Sequence, residues 1–98
     1  MTVTIRRTGT ELTAAIEGRL DTLTAPELEE KLEPELDGTK KLVLDLSALE
    51  YISSAGLRVL LAAAKTMEEQ GEMTVRNVCR DVMDVFELTG FADFLNIE

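Results

Sequence analysis

Leu42-Val43-Leu44-Asp45-Leu46 is a nearly continuous apolar run, and from Ser54 onward Leu57, Leu60, Leu61, Ala64 and Met67 recur at helical spacing as far as Gly71. A short run without alternation fits a strand covered on both faces, as in a parallel sheet fed by helices. The stripe that follows is the apolar face of an amphipathic helix. Beyond it, Met73-Thr74-Val75-Arg76-Asn77-Val78 reads as another strand, and Val82, Val85, Phe86 and Leu88 give a short helix ending near Gly90. Phe91 to Ile97 leaves room for a brief last strand. Toward the N-terminus, Val3 and Ile5, then Leu12, Ala14 and Ile16, alternate with polar residues on either side of Gly9-Thr10. That period of two predicts a pair of strands joined by a tight turn. Thr24 with Glu27 three residues later has the form of a capping box, and Pro26 falls in the first turn, where its missing N–H does no harm. Ala25, Leu28, Leu32 and Leu36 continue that helix, and Gly38 stands where a left-handed helix end is expected.

Strand-helix alternation of this kind predicts an α/β fold, because strand-helix-strand units lay parallel strands side by side under their helices. The expectation is one domain over residues 1–98, a mixed β-sheet of four to five strands packed with about three helices. Charge and composition then exclude function classes. With 19 acidic against 10 basic residues the formal charge is -9, which repels the phosphate backbone, so direct nucleic-acid binding is not expected. The absence of histidine removes the Ser-His-Asp and Cys-His mechanisms and the commonest zinc ligand. There is no Gly-x-x-x-x-Gly-Lys-Ser/Thr loop and no clustered carboxylate set, so neither an enzyme nor a bound cofactor or metal is expected. The single cysteine, Cys79, has no partner for an internal disulfide and reads as a reduced, buried thiol. No apolar stretch reaches the length of a membrane span and the first residues lack the form of a signal peptide, so no membrane contact and a cytoplasmic location are expected.

Functional residues of α/β sheets gather where strands run into helices. Here the stretch Leu49-Glu50-Tyr51-Ile52-Ser53-Ser54-Ala55-Gly56-Leu57-Arg58 is such a junction. Either serine suits a helix N-cap, and a capping serine is the plain structural account. Two consecutive serines leave one to cap and one facing solvent, where unpaired N–H groups and the positive helix end suit an anion that comes and goes. Gly56 in the first turn costs about 1 kcal/mol against alanine. Two accounts offset it: close packing of the turn against a neighbour, or open access for a docking protein. Phe86, Phe91 and Phe94 read as core, and the acidic face of the first helix as a solvated surface.

Ile16-Glu17-Gly18-Arg19-Leu20-Asp21, Leu42-Val43-Leu44-Asp45-Leu46-Ser47 and Tyr51-Ile52-Ser53-Ser54-Ala55-Gly56-Leu57, in this order and spacing, resemble the sulfate-transporter and anti-sigma-factor-antagonist (STAS) domain, and within it the bacterial anti-sigma-factor antagonists. The resemblance covers nearly the whole chain. It implies a partner switch. The unphosphorylated protein binds an anti-sigma factor that is also a serine kinase and so frees a sigma factor. Phosphorylation breaks the complex, and a metal-dependent serine phosphatase restores it. The family pattern maps the phosphorylated serine onto Ser54, with Ser53 where many relatives carry aspartate and Arg58 where many carry glycine. The implied partner-binding surface is Asp21, Asp45, Ser53, Ser54, Ala55, Gly56 and Arg58. Asp21 and Asp45 then form a polar rim beside Ser54; the plain alternative is that they only satisfy loop N–H groups. Arg58, one helical turn beyond Ser54, is either a partner for a phosphate there or a solvated surface residue. A second functional reading is a STAS subunit docked on a transporter ATPase or a larger signalling complex, without a phospho-switch.

Overall fold

The alternation read in the N-terminal residues is realised as a hairpin of β1 (Thr2–Thr8) and antiparallel β2 (Glu11–Leu20), turning at Gly9 with φ 61°. This computed structural model describes residues 1–98. There follow α1 (Ala25–Leu32) with a 3-10 turn over Glu33–Leu36, then β3 (Lys41–Asp45), β4 (Leu49–Ile52), α2 (Ser54–Gln70), β5 (Glu72–Arg76) and α3 (Arg80–Thr89) with a 3-10 turn over Phe91–Asp93. The sheet order is β1-β2-β3-β5, and β4 pairs with β2 beyond the end of β3. Only β1 runs antiparallel to its neighbour; β2, β3, β4 and β5 pair parallel.

Register puts the apolar side chains of neighbouring strands in line. Val3 and Ile5 lie opposite Ile16 and Ala14, Leu12 and Ala14 beside Leu42 and Leu44, and those beside Met73 and Val75. This face carries the core. Its buried residues, with Val3, Ile5 and Met73 packed against them, join Leu28, Leu32, Leu57, Leu60, Met67, Val82 and Phe86 from the three helices in a single cluster of 22 buried side chains. Val43, on the alternate face between Thr13 and Thr74, is buried but stands outside that cluster.

The differences from the sequence expectation have local causes. The fifth strand is β4, inside the stretch read as a junction, and the C-terminal segment contributes only a bridge between Val75 and Ile97. The register shift at Gly18–Arg19, with Gly18 at φ 93°, lets one long strand serve both β3 and β4. Thr24 precedes α1 but does not form a capping box. Its φ −96° and ψ −20° are helical, whereas a capping side chain needs an extended backbone, and it makes no bond to the first-turn amides. The α-helix stops at Leu32 and tightens to a 3-10 turn because Pro34 cannot donate; Gly38, at φ 80°, still turns the chain toward β3. The buried stripe of α2 includes Val59 and Ala63, while Leu61 and Ala64 are half-buried. At its end Gly71 is extended (φ 179°), and glycine is required there by approach: a Cβ would lie 1.9 Å from the Lys40 carbonyl oxygen. Of the three phenylalanines only Phe86 is fully buried; Phe94 is 53% exposed and leans on the half-buried Phe91. Cys79 is half-buried at the start of α3, its thiol 3.4 Å from the Leu49 carbonyl.

Candidate partner-binding site

The end of β2 and the start of α2 are joined by a backbone hydrogen bond. Leu20 is in register with Ile52, and the Ser53 N–H donates to the Leu20 carbonyl at 2.9 Å. Ser53 is the N-cap of α2, extended at φ −100° and ψ 176°; its carbonyl accepts from the Leu57 N–H at 2.9 Å and its hydroxyl from the Gly56 N–H at 3.4 Å. Ser53 is half-buried and Ser54, the first helical residue, is exposed. One serine caps and the next presents its hydroxyl to solvent beside the free first-turn amides at the positive end of a 17-residue helix.

What sets this geometry is Gly56. It is buried, and a Cβ there would lie 2.7 Å from Leu20 Cγ and 2.9 Å from Ile52 Cγ1. The missing side chain faces the core, so of the two accounts close packing is the one the structure shows: Gly56 lets α2 settle onto the ends of β2 and β4 and acts from beneath the surface. Ala55, half-buried, also packs against the core.

Asp21 follows Leu20 directly and builds the turn into α1. Its Oδ1 accepts from the Leu23 N–H at 3.0 Å and the Thr24 N–H at 3.1 Å. The Thr24 hydroxyl closes the turn on the strand, 2.8 Å from the Arg19 carbonyl, and accepts from the Asp21 N–H at 2.8 Å. The Thr24 N–H foremost, with the Leu23 N–H and the Thr24 hydroxyl, holds the Asp21 carboxyl below its ordinary pKa against the opposing effect of desolvation. At Asp21, the reading as an acceptor for loop N–H groups describes what Oδ1 does.

Asp45 occupies a different place. It is in register with Ala15, five positions before Leu20, which is roughly 16 Å of strand. Its Oδ1 accepts from the Asn77 Nδ2 at 3.1 Å and the Ser47 N–H at 3.0 Å, and the Asn77 bond is the main reason its carboxyl sits below the ordinary value. Asp45 therefore braces the β3 and β5 ends and is not brought beside Ser54. Asn77, which the sequence reading passed over, has a left-handed backbone at φ 59°, a conformation asparagine tolerates. Arg58 is exposed one turn beyond Ser54, and none of the four ion pairs, Arg7–Glu35, Lys41–Glu11, Lys41–Glu72 and Arg76–Glu98, engages it.

Two further features went unread in the sequence. Arg19 stacks over Tyr51, its guanidinium carbon 4.2 Å from the ring centroid, across the β2–β4 pair that carries Ser53. Leu23, in the Asp21 turn, is 87% exposed. The only signal for the latter was an apolar residue between two threonines in a polar turn. No group of three or more Cys, Asp or Glu side chains is placed to hold a metal ion, and no helix is long and apolar enough to cross a membrane.

A mixed sheet whose strand β4 leads into two serines that open α2, with Gly56 packed on the strand ends, belongs to a chain that matches the STAS domain over residues 2–98. The chain belongs to the STAS domain family. BtrV of Bordetella bronchiseptica, named as an anti-sigma factor antagonist, is 40% identical over 93 residues, which span 93% of this chain and 80% of that protein. A crystal structure of an anti-sigma factor antagonist from Mycobacterium paratuberculosis superposes with a TM-score of 0.89 at 26% identity, covering 98% of this chain and 83% of the other. The Bacillus cell fate determinant SpoIIAA in its phosphorylated form shares the fold, with a TM-score of 0.77 at 15% identity over 99% of this STAS chain and 91% of SpoIIAA.

Proposed function

We propose that this STAS domain is an anti-sigma-factor antagonist that works as a partner switch at Ser54. Unmodified, it binds an anti-sigma factor that is also a serine kinase and so releases a sigma factor. The kinase transfers a phosphoryl group from its nucleotide to the Ser54 hydroxyl, whose proton passes to a base of the kinase, and the complex separates. A metal-dependent serine phosphatase hydrolyses the ester and restores the hydroxyl. The catalytic groups for both steps belong to the partners.

The observation that carries this reading is the division of labour between the serines: Ser53 caps α2, and Ser54 keeps an exposed hydroxyl at the helix start. A phosphate adds about −1.5 to −2 charges and three strong acceptors to an interface formed around a bare hydroxyl. A loss of about 3 kcal/mol weakens binding more than a hundredfold. The same charge lies at the positive end of α2, so the domain itself accommodates it. In this reading Ser53, Ala55 and Gly56 fix the position of Ser54, Asp21 shapes the adjoining turn, Arg58 pairs with the phosphate, and Asp45 marks the far margin of the surface. Support also comes from the relatives: BtrV carries the antagonist name, and SpoIIAA has a phosphorylated form. The test is incubation with the cognate kinase and peptide mapping. Phosphate on Ser54 is the expected result, and phosphate on Ser53 with Ser54 bare overturns the assignment.

A further inference from the structure

Leu23 is 87% exposed, and it is not held there loosely. Its own N–H is tied to Asp21 Oδ1, the next residue's N–H to the same oxygen, and the Thr24 hydroxyl to the Arg19 carbonyl at the end of β2. A turn bonded on both sides displays its tip in a fixed place, which removes part of the ordering cost of binding. The Leu20 carbonyl that precedes this turn is the one that receives the Ser53 N–H. Summing two residues of turn, the hydrogen bond to Ser53 and the step to Ser54, the Leu23 and Ser54 Cα atoms are separated by no more than roughly 17 Å. A partner footprint of about 800 Å² is roughly 32 Å across, wide enough to take in both Ser54 and Leu23.

We infer that Leu23 is the apolar anchor of the partner interface, displayed by the Asp21 turn and received by an apolar pocket of the anti-sigma factor. The inference rests on the proposed function of the Ser54 surface and adds the residue that supplies affinity, while Ser54 supplies the switch. The pocket it enters has a basic rim, because Asp21 holds the turn that displays the leucine and the chain carries a net charge of -9. Asp21 is a positioning residue in this scheme, acting through the turn.

The test uses the anti-sigma factor that co-purifies with the parent chain from its native cell, expressed separately, with Kd measured by titration calorimetry and folding checked by melting. Leu23→Ala is expected to weaken binding at least tenfold and Leu23→Asp at least a hundredfold, with melting within a few degrees of the parent. Leu88→Asp, at an equally exposed leucine on α3, is expected to bind within twofold of the parent. Asp21→Ala is expected to weaken binding in the parent but not in the Leu23→Ala background, the pattern of two residues acting through one contact. Leu23→Ala binding within twofold of the parent overturns the anchor, as does an equal loss from Leu88→Asp, which makes the loss one of added charge. Ser54→Asp, measured alongside, keeps the two readings apart. If it abolishes binding while Leu23→Ala does not, the anchor alone fails; if it binds as the parent while Leu23→Ala is weak, the switch alone fails.

Discussion

Replacing Gly56 by alanine tests the packing that places Ser54. The new methyl would sit 2.7 Å from Leu20 Cγ and 2.9 Å from Ile52 Cγ1. Neither neighbour has solvent to move into, since Leu20 is 0% and Ile52 2% exposed. Overpacking of this kind costs about 1–3 kcal/mol. Against it stands the gain of about 1 kcal/mol from removing glycine from a helix. The net is a loss of up to about 2 kcal/mol, which for a domain of this size lowers Tm by up to roughly 15 °C. Thermal melting followed by circular dichroism measures it. Leu20→Ala makes room for the methyl, so the double variant Leu20→Ala/Gly56→Ala should lose less than the two single losses added together. Gly71→Ala should be the more damaging change, because there the obstacle is the backbone carbonyl of Lys40 and no side-chain rotation relieves it. A Gly56→Ala protein that melts above the parent refutes the close approach of α2 to β2 and β4, and with it the account of how Ser54 is held.

Three other changes bear on the switch and its supports. Ser54→Asp places a charge at a helix N-terminus, which favours it by about 0.3–1 kcal/mol, so its Tm should stay within a few degrees of the parent while anti-sigma binding is lost in a pull-down; an unfolded variant contradicts the separation of switch from scaffold. Arg58→Ala should leave the unmodified protein within about 0.5 kcal/mol of the parent in denaturant melts, and should speed phosphatase release only from the phosphorylated form; equal time courses return Arg58 to a solvated surface role. Asp21 and Asp45 both have folded-state pKa values below the ordinary one, so their contribution is present above the unfolded value and is lost as pH falls through the folded values, below about pH 4. Melting curves from neutral pH down to that range should show a shallower acid loss for Asp45→Asn than for the parent; identical slopes would mean that the Asn77 bond does not bias the titration.

Much of the fold was legible because its signals are local. The hairpin follows from alternation on either side of Gly9, and α2 from a 3.6-residue stripe that Ser53 caps with its own side chain. Thr24 shows the limit of a local motif: the residues of a capping box are present, but Asp21 recruits the hydroxyl's neighbourhood first and leaves Thr24 helical, facing the strand. Phe94 shows another, since aromatic character predicts burial only on average, and this ring is half exposed beside Phe91. Leu23 and Tyr51 could not be distinguished from core apolar residues by type, because their exposure is a property of the turn and of the β2–β4 pair.

The placement of Asp45 has a single structural cause, and it is non-local. A polar rim of Asp45 beside Ser54 needs the end of β3 to lie next to the start of α2, and β4 intervenes between them. Strand β4 has only four residues, with Glu50 and Tyr51 exposed between buried Leu49 and Ile52, so neither alternation nor a continuous apolar run announces it. It forms because β2, bent at Gly18, has unpaired backbone beyond the reach of β3. Once β4 takes those hydrogen bonds, the chain is carried along β2 before α2 begins, and Ser54 arrives beside the end of β2. Asp45 stays behind with Asn77. The neighbour of Ser54 is therefore the Asp21 turn, which carries the exposed Leu23, and not the second aspartate.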